Sequence, residues 1–492
     1  METLTAEAPP RLHVKRHDVR LHPNAARVLI RPFVSSNPQK NTNIVCRVMA
    51  LDEAKVERLL KEVMDSFSDR HVEIEEVLEA HFRRVEHLLP DETKLSRARK
   101  LLIGAYFTQE YALESAALFN PSIVAHPDQT GLEEGDVRFI MSLRATGEGH
   151  ISSIVFRSGV ISGEAEITFD PSSRYVIAPE INPDASYDKQ VFLQKLREMG
   201  VSREEAYAAL ALLSDHFTLT ELMAQLDRLR RYDRLAQRQD EALRSIQWLA
   251  ESNYEQVFAA DTDPSERVIF PYAPSEQGGI EDARFVQFAE EDGSTVYYAT
   301  YTAYDGQRIL PQMIETRDFL RFKVHTLNGA GAENKGMALF PRKIGGRYAM
   351  ISRQDNENLF LMYSDDVYFW REKEELQQPE SPWEFVQIGN CGSPIETEAG
   401  WVLLTHGVGP MRRYSIGAIL LDLDDPSRVI GRLDEPLLSP NEEEREGYVP
   451  NVVYTCGALL HGRTLVLSYA MSDSATGVAT VDMDELLGAM TA

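Results

Sequence analysis

Cysteine is scarce in this chain: Cys46, Cys391 and Cys456 are the three among 492 residues. They are odd in number and far apart. No CxxC or Cys/His spacing accompanies them, which argues against a disulfide framework and against a zinc site. A reducing, cytoplasmic setting and no bound metal are the expectations. Long apolar runs are also lacking. No stretch approaches the roughly 20 residues that span a bilayer. The start, Met1-Glu2-Thr3-Leu4, has no basic region followed by an apolar one, so no signal peptide is read. Positive charge is in short supply, with 51 Lys and Arg against 77 Asp and Glu and a net charge of −26. Nucleic acid and anionic membranes are therefore excluded as expected partners. An anionic substrate would need a locally basic pocket.

The remainder is ordinary globular material, 43% hydrophobic and 26% charged, and long enough for a large core and more than one structural unit. Residues 1–50 mix Pro-rich turns with short apolar runs such as Val28-Leu29-Ile30. Val56, Leu59, Leu60, Val63, Met64 and Phe67 share one helical face. Helical character continues to about Leu118, where Asn120-Pro121 breaks it. Residues 1–118 thus read as an N-terminal extension, largely helical after about 50. Residues 119–187 hold strand-like runs such as Phe139–Leu143 and Ile151–Phe156. A helical insertion is expected at 188–255, with capping boxes at Ser202–Glu205 and Thr218–Glu221. Its arginine-rich run from Arg228 to Arg244 is interleaved with Asp227, Asp233, Asp240 and Glu241, and reads as a solvated face rather than an anion patch. From 256 to the end strands dominate, separated by turns such as Asp292-Gly293 and Gly345-Gly346. A loose recurrence of about 50 residues favours a propeller among the all-β architectures. Residues 484–489 suggest a short terminal helix.

Gly279-Ile280-Glu281-Asp282-Ala283-Arg284-Phe285 is the most informative stretch. It sets two carboxylates and an arginine between a glycine pair and an apolar run. Burying a carboxylate is costly unless its charge is paired or used. The spacing fits an ion pair holding a loop as well as a site, and Gly278-Gly279 favours the site, since glycine lets a backbone approach a ligand. Other polar clusters sit at strand ends: Lys335 before an apolar run, Ser352-Arg353-Gln354-Asp355-Asn356-Glu357-Asn358 after Tyr348–Ile351, and His406 after Trp401–Leu404. Each alone is more often a surface lysine, a turn or a structural histidine. If they converge, Arg144, Lys335, Arg353 and His406 make a cationic cradle suited to phosphate. Asp282 would be a single acid beside it. One acid plus an anion site is what an inverting phosphorolysis needs. Inverting hydrolysis needs a base for water, whereas phosphate is already a nucleophile.

Those residues, and the motifs around several of them, resemble glycoside hydrolase family 130, the β-mannoside phosphorylases and related mannosidases. The motifs are Phe119-Asn120-Pro121-Ser122, Gly279–Arg284, Lys335 with Ala338-Leu339-Phe340-Pro341, Trp401 to Val408, Gly417-Ala418 with Leu420–Leu423, and Tyr448 to Gly457. The resemblance runs from about Asn120 to the C-terminus, interrupted at 188–252. It implies a mainly β fold, a five-bladed β-propeller carrying a helical N-terminal extension and a helical insertion, with the active site at its axis. It implies that Asp282 is the general acid and that its proton reaches the glycosidic oxygen through a mannose hydroxyl. Arg144, Lys335, Arg353 and His406 look like phosphate ligands. Asn120, Arg284 and Asp473 look like residues that hold the mannosyl unit.

The family's commoner proline is Ala283 here, which bears on loop stiffness. Its common histidine is Ser352, a departure that leaves substrate choice open. Glu357, close in sequence to Arg353, keeps hydrolysis in play. Trp383, Trp401, Tyr301 and Tyr304 are stacking candidates for sugar, with core packing an equal reading for each. Tyr304 is grouped with the substrate-binding residues.

The expected activity is inverting phosphorolysis of a β-mannosyl oligosaccharide to α-mannose 1-phosphate and a shortened acceptor. Phosphate is the co-substrate and no organic cofactor is implied. The alternatives are a β-mannosidase using water, and a non-catalytic propeller that binds a glycan or a protein. The helical segments are candidate contacts for a homo-oligomer.

Overall fold

The computed structural model describes residues 12–90, 93–182, 186–232 and 237–490, with the side chains of residue 232 and residues 237–239 outside the description. Among them, five antiparallel sheets of four to six strands carry the molecule. Each strand is short and bounded by turns, as the spacing of β-branched and aromatic runs predicts.

The first sheet is built from Ala117–Ala125, Val137–Thr146, Ser152–Ile161 and Val268–Ile269, with Ile167–Phe169 at its side. The second contains Gly279–Ala289, Thr295–Tyr304, Ile309–Thr316 and Arg321–Thr326, extended by Tyr254–Val257 and Glu180–Asn182. Ala338–Leu339, Tyr348–Ser352, Leu359–Ser364 and Glu374–Gln377 form the third. Gln387–Asn390, Gly400–Val408, Tyr414–Leu421 and Val429–Arg432 form the fourth, with Ile395–Thr397 beside them. The fifth combines Val453–Tyr454, Thr464–Met471, Ala475–Asp482 and Ala458–His461 with Lys15–Leu21 from the other end of the chain.

Hydrogen bonds tie each sheet to the next. The Phe285 amide donates to Ser122 Oγ at 3.0 Å, between the first and second sheets. The Ala289 amide reaches Pro341 O at 2.9 Å, and the Ile388 amide reaches Glu357 O at 2.9 Å. Tyr414 donates to Asn451 O at 3.0 Å, and Cys456 to Pro121 O at 2.8 Å, which returns to the first sheet. Apolar side chains between the sheets supply most of the burial. Trp370 and Trp401 are both fully enclosed, and exposing such surface would cost about 25 cal/mol per Å².

Two helical blocks flank the sheets. Pro38–Met49, Glu53–Phe67, Ile74–Val85 and Arg97–Tyr106 enclose a small core around Val56, Phe82, Leu102 and Ile103. Lys189–Glu198, Arg203–Leu210, Leu219–Tyr232 and Gln237–Glu251 share a separate core of Leu196, Leu210, Leu222, Leu226 and Ile246. Trp248 packs against both this core and that of the second sheet. Ser202 and Glu205 form the expected capping box, and Thr218 and Glu221 exchange the corresponding bonds at 2.9 and 3.3 Å. The terminal helix spans Met483–Ala489. In the arginine-rich run, Arg230 pairs with Asp227 at 3.5 Å and Arg244 pairs with Asp240, as a solvated face would. Asp233 of that run lies outside the described residues.

The N-terminal region differs from the expectation in three ways. Lys15–Leu21 is a strand, not a turn region, and pairs with Ala475–Asp482. Helix begins at Pro38, where the Asn37 side chain caps the amides of Gln39 and Lys40. It ends at Tyr106 rather than near Leu118, and Thr108–Ala112 pairs with Val28–Pro32. Tertiary pairing overrides the helix propensity of the Ala- and Glu-rich stretch there. The same stretch places Glu114 in a fully buried triad, accepting from Arg27 at 2.9 Å and from Arg157 at 2.7 Å.

Candidate active site

Two β-bulges build the site. The pairing of Gly279–Ala289 with Thr295–Tyr304 slips between Glu281 and Arg284. The pairing of Ala117–Ala125 with Val137–Thr146 slips between Phe119 and Ser122. Each bulge holds a non-glycine residue at left-handed φ, Asp282 at +55° and Asn120 at +48°. Such residues cost on the order of 1–3 kcal/mol each and persist where the surroundings over-determine them. The two residues meet: Asn120 Nδ2 donates to Asp282 Oδ1 at 2.7 Å. Asn356, Arg412, Ser472 and Asp473 also have left-handed φ. All but Ser472 line the same cavity as Asn120 and Asp282, a space of about 290 Å³.

Charge is arranged asymmetrically around that cavity. Arg144 donates from Nη1 to Asp282 Oδ1 at 3.2 Å and from Nη2 to Glu281 Oε1 at 3.1 Å. Lys335 Nζ reaches the other Glu281 oxygen at 3.4 Å. Arg284 lies beneath, 2% exposed. It donates to the Asp282 carbonyl at 3.3 Å and to the Tyr454 hydroxyl at 2.6 Å. Burial alone would push the Asp282 carboxyl up. Arg144, Arg284, the Asn120 amide and Lys335 outweigh it and hold the carboxyl at about 2. Asp473 goes the other way. Burial, together with the nearby Asp282 charge, pushes its carboxyl up to about 6, against the pull of Arg144 and Arg412.

Arg353 differs from its neighbours. It is 8% exposed and, among the described residues, its guanidinium has no carboxylate and no hydrogen-bond acceptor; its buried Nε is orphaned. Room for it comes from glycine. A Cβ on Gly336 would fall 2.3 Å from Arg353 Nε, and one on Gly389 would fall 2.3 Å from His406 Cε1. Burial first, and then Arg353 and Arg284, keep the His406 imidazole well below its usual range, so it is neutral at physiological pH. Gln387 Nε2 lies 3.4 Å from its Nε2. A buried cation with no anion beside it is costly unless a ligand supplies one. The cavity is thus set up for an anion at the Arg353–His406–Lys335 side.

The structure brings Asn120, Arg144, Asp282, Lys335, Arg353, His406 and Asp473 onto one cavity, with Arg284 directly behind. Tyr304 is not among them. It sits opposite Gly279 in the strand register, packs its ring on Gly278 and donates its hydroxyl to the Gly306 carbonyl at 2.8 Å. Tyr301 is also a core residue, 3% exposed, with its hydroxyl on Glu276 at 2.6 Å. Trp401 is buried against Phe340, and Trp383 packs on Gly407 and Gly417. None of these four aromatics lines the cavity. Ser352 is buried and donates to Gln354 at 3.0 Å, so it does not face the site. Glu357 is exposed and lies outside the lining. Asn356, Gln387, Arg412, Tyr414 and Tyr454 line the cavity without having been singled out from sequence. Asn356 carried the signal of an unusually polar strand end, and Tyr454 lay inside a motif. Among the described residues, no group of three or more His, Cys, Asp or Glu side chains is placed to hold a metal ion.

A sheet-built chain whose cavity joins a strained acid to a cationic cradle has the make-up of an enzyme that handles an anion. Residues 252–492 match the family model described as β-1,4-mannooligosaccharide phosphorylase, glycoside hydrolase family 130. A 1,2-β-oligomannan phosphorylase from Thermoanaerobacter sp. (strain X514) is 36% identical over 215 residues, which cover 42% of this chain and 70% of that protein. A β-1,2-mannobiose phosphorylase from the same organism is 35% identical over 218 residues, 43% of this chain and 70% of that one. Another β-1,2-mannobiose phosphorylase, from Listeria innocua serovar 6a, is 30% identical over 237 residues, covering 47% and 64% respectively. The chain belongs to glycoside hydrolase family 130.

Proposed function

We propose that this protein is an inverting β-mannoside phosphorylase, built as a five-bladed β-propeller whose cavity lies where the five sheets converge. The hydrogen bonds that lead from sheet to sheet and back to the first support the propeller reading. The named relatives support the activity. The observation that carries phosphate as co-substrate is Arg353, a buried guanidinium with no anion beside it among the described residues.

In the proposed reaction the β-mannosyl unit binds against Asn120, Arg284 and Asp473. Phosphate lies against Arg144, Lys335, Arg353 and neutral His406. A phosphate oxygen attacks the anomeric carbon from the face opposite the leaving group. The new C–O bond forms as the glycosidic bond breaks, and the configuration inverts to α-mannose 1-phosphate. The departing oxygen takes a proton that originates at Asp282 and passes through a sugar hydroxyl. Asp282 begins ionised, held at about 2 by the cations around it. Phosphate neutralises the same cations, so its arrival raises the affinity of Asp282 for a proton. Chemistry by positioning and charge screening alone fits a nucleophile that needs no base. No cofactor enters this scheme, and the few, unpaired cysteines support a cytoplasmic setting.

A second reading, hydrolysis, rests on Asp473, a carboxylate raised to about 6 beside the same cavity and able to serve a water molecule as base. One assay separates the two. The protein is given α-mannose 1-phosphate with mannose, glucose, N-acetylglucosamine or short mannosides, and phosphate release is followed, with Asp282→Asn as control. Acceptor-dependent release that needs Asp282 supports phosphorolysis. Mannose freed from β-mannosides without phosphate, and no release in the synthetic direction, would overturn it in favour of hydrolysis.

A further inference from the structure

The N-terminal strand Lys15–Leu21 lies far outside the segment that matches the family, which starts at residue 252. It nevertheless reaches toward the cavity through one side chain. Arg16 donates from Nε to Glu444 Oε1 at 2.8 Å and from Nη2 to Glu444 Oε2 at 3.1 Å. Its Nη2 also reaches the Ser439 carbonyl at 2.8 Å. Glu444 is 1% exposed. Its carboxylate further accepts from the Tyr469 hydroxyl at 2.7 Å and the Asn441 amide at 3.2 Å. Every lone-pair direction is thereby engaged, and a bidentate guanidinium fixes the plane of the carboxylate.

The backbone of Glu444 continues the chain of contacts. Its carbonyl accepts the Ser472 hydroxyl at 2.7 Å. The Ser472 amide donates to Val452 O at 2.8 Å, and its carbonyl accepts the Val449 amide at 3.0 Å. Val449, Val452 and Asp473 all line the cavity. Ser472 and Asp473 are consecutive non-glycine residues at φ +47° and +51°. Such a pair holds its shape only where neighbours impose it. Three bonds impose it here: the Val449 and Val452 backbone hold the Ser472 main chain, the Glu444 carbonyl holds its hydroxyl, and Arg16 anchors the Glu444 carboxylate.

We propose that Arg16 is a positioning residue: through Glu444 and Ser472 it fixes the turn that presents Asp473, and so sets the affinity for the β-mannosyl unit. This rests on the reading of Asp473 as a sugar-binding carboxylate. A purely structural Arg16 would anchor the N-terminal strand and lower thermal stability without changing what the folded protein binds.

Two variants test it. Arg16→Met cuts the link at its start. Ser472→Ala cuts it at its end and leaves the half-buried Arg16–Glu444 ion pair whole, so it remains informative if Arg16→Met does not fold. Binding of β-1,2- and β-1,4-mannobiose is measured by calorimetry without phosphate, and the KM for phosphate is measured separately. Loss of the link is expected to weaken mannobiose binding about tenfold in each folded variant, with the phosphate KM within about twofold of wild type. Unchanged mannobiose affinity in folded variants, or a parallel loss for mannobiose and phosphate, overturns the proposal. A wild type that binds mannobiose but consumes no phosphate refutes the phosphorylase reading while leaving this comparison intact. One that binds no β-mannoside refutes both.

Discussion

Asn120 and Asp282, 162 positions apart, are joined by a hydrogen bond of 2.7 Å between two bulges that both force a left-handed backbone. Neither conformation is favourable by itself. Each makes sense as the means of turning a side chain out of its strand toward the other. Asp282→Asn is expected to lower phosphorolysis by about a thousandfold, within the range a proton-transfer group contributes. Asn120→Ala is expected to lower it about ten- to a hundredfold, as for loss of one preorganised donor. Because they act as a unit, Asn120→Ala should cost little more in the Asp282→Asn background. Initial rates for the four proteins of that cycle check this. Additive losses would show that Asn120 acts on the sugar independently of Asp282.

Arg353 presents the opposite case, a buried charge without a partner among the described residues. Arg353→Met is expected to raise the KM for phosphate about a hundredfold or more, since a charge-assisted pair is lost. The same change should stabilise the ligand-free protein by about 1–3 kcal/mol, because an uncompensated cation leaves the interior. Thermal unfolding with and without phosphate checks both. At a fixed phosphate concentration the Tm of wild type should rise markedly more than that of the variant. A variant less stable than wild type would mean that Arg353 has a structural partner after all.

How much of this was readable beforehand depended on chemistry more than on position. The Glu281-Asp282 doublet stood out because buried carboxylates must be paired or used, and the adjoining Gly278-Gly279 favoured use over an ion pair that only holds a loop. Lys335 and His406 came with motifs, and Arg144 and Arg353 as polar residues in strand-like segments. Tyr304 misled because register, not composition, decides which side of a bulge a strand residue faces. It pairs with Gly279, three residues short of the turn-out at Asp282. Tyr454 reads like any aromatic in an apolar strand, and its hydroxyl becomes informative only once Arg284 is seen behind it. Arg412 resembles an ordinary loop arginine until its φ of +55° and its place in the cavity wall are known. Lys15–Leu21 was missed because Lys-Arg-His-Asp-Val-Arg-Leu is too polar for a strand signal. Its partner strand, Ala475–Asp482, lies at the far end of the chain.

Asp473 gives a pH dependence with a defined sign. Its carboxyl is raised to about 6 in the folded protein, against about 3.9 in an unfolded chain. Between those values the folded state binds the extra proton, so stability from this group is present below about 4 and is lost as pH rises through about 6. Asp473→Asn removes the titration. Its Tm relative to wild type is expected to be higher at pH 8 than at pH 4, with the difference developing between those limits. A Tm difference that does not change with pH would show that Asp473 is not raised in the folded protein.

Phosphate and the Asp282 proton should be linked. The cations that hold the carboxyl at about 2 include Arg144 and Lys335, which also line the cavity and are proposed phosphate ligands. An anion placed there screens them and raises the Asp282 pKa, and by reciprocity protonation of Asp282 must tighten anion binding. The His406 imidazole, kept neutral by burial and by Arg353 and Arg284, is expected to respond in the same direction, so total proton uptake does not isolate Asp282. The difference between wild type and Asp282→Asn does. Calorimetric titration with phosphate at pH 5, in two buffers of different ionisation enthalpy, should show more protons taken up by wild type than by the variant, with the excess shrinking toward pH 8. Equal uptake in both proteins would mean that phosphate binds without reaching the field of Asp282, and the acid would then have to be charged by the sugar alone.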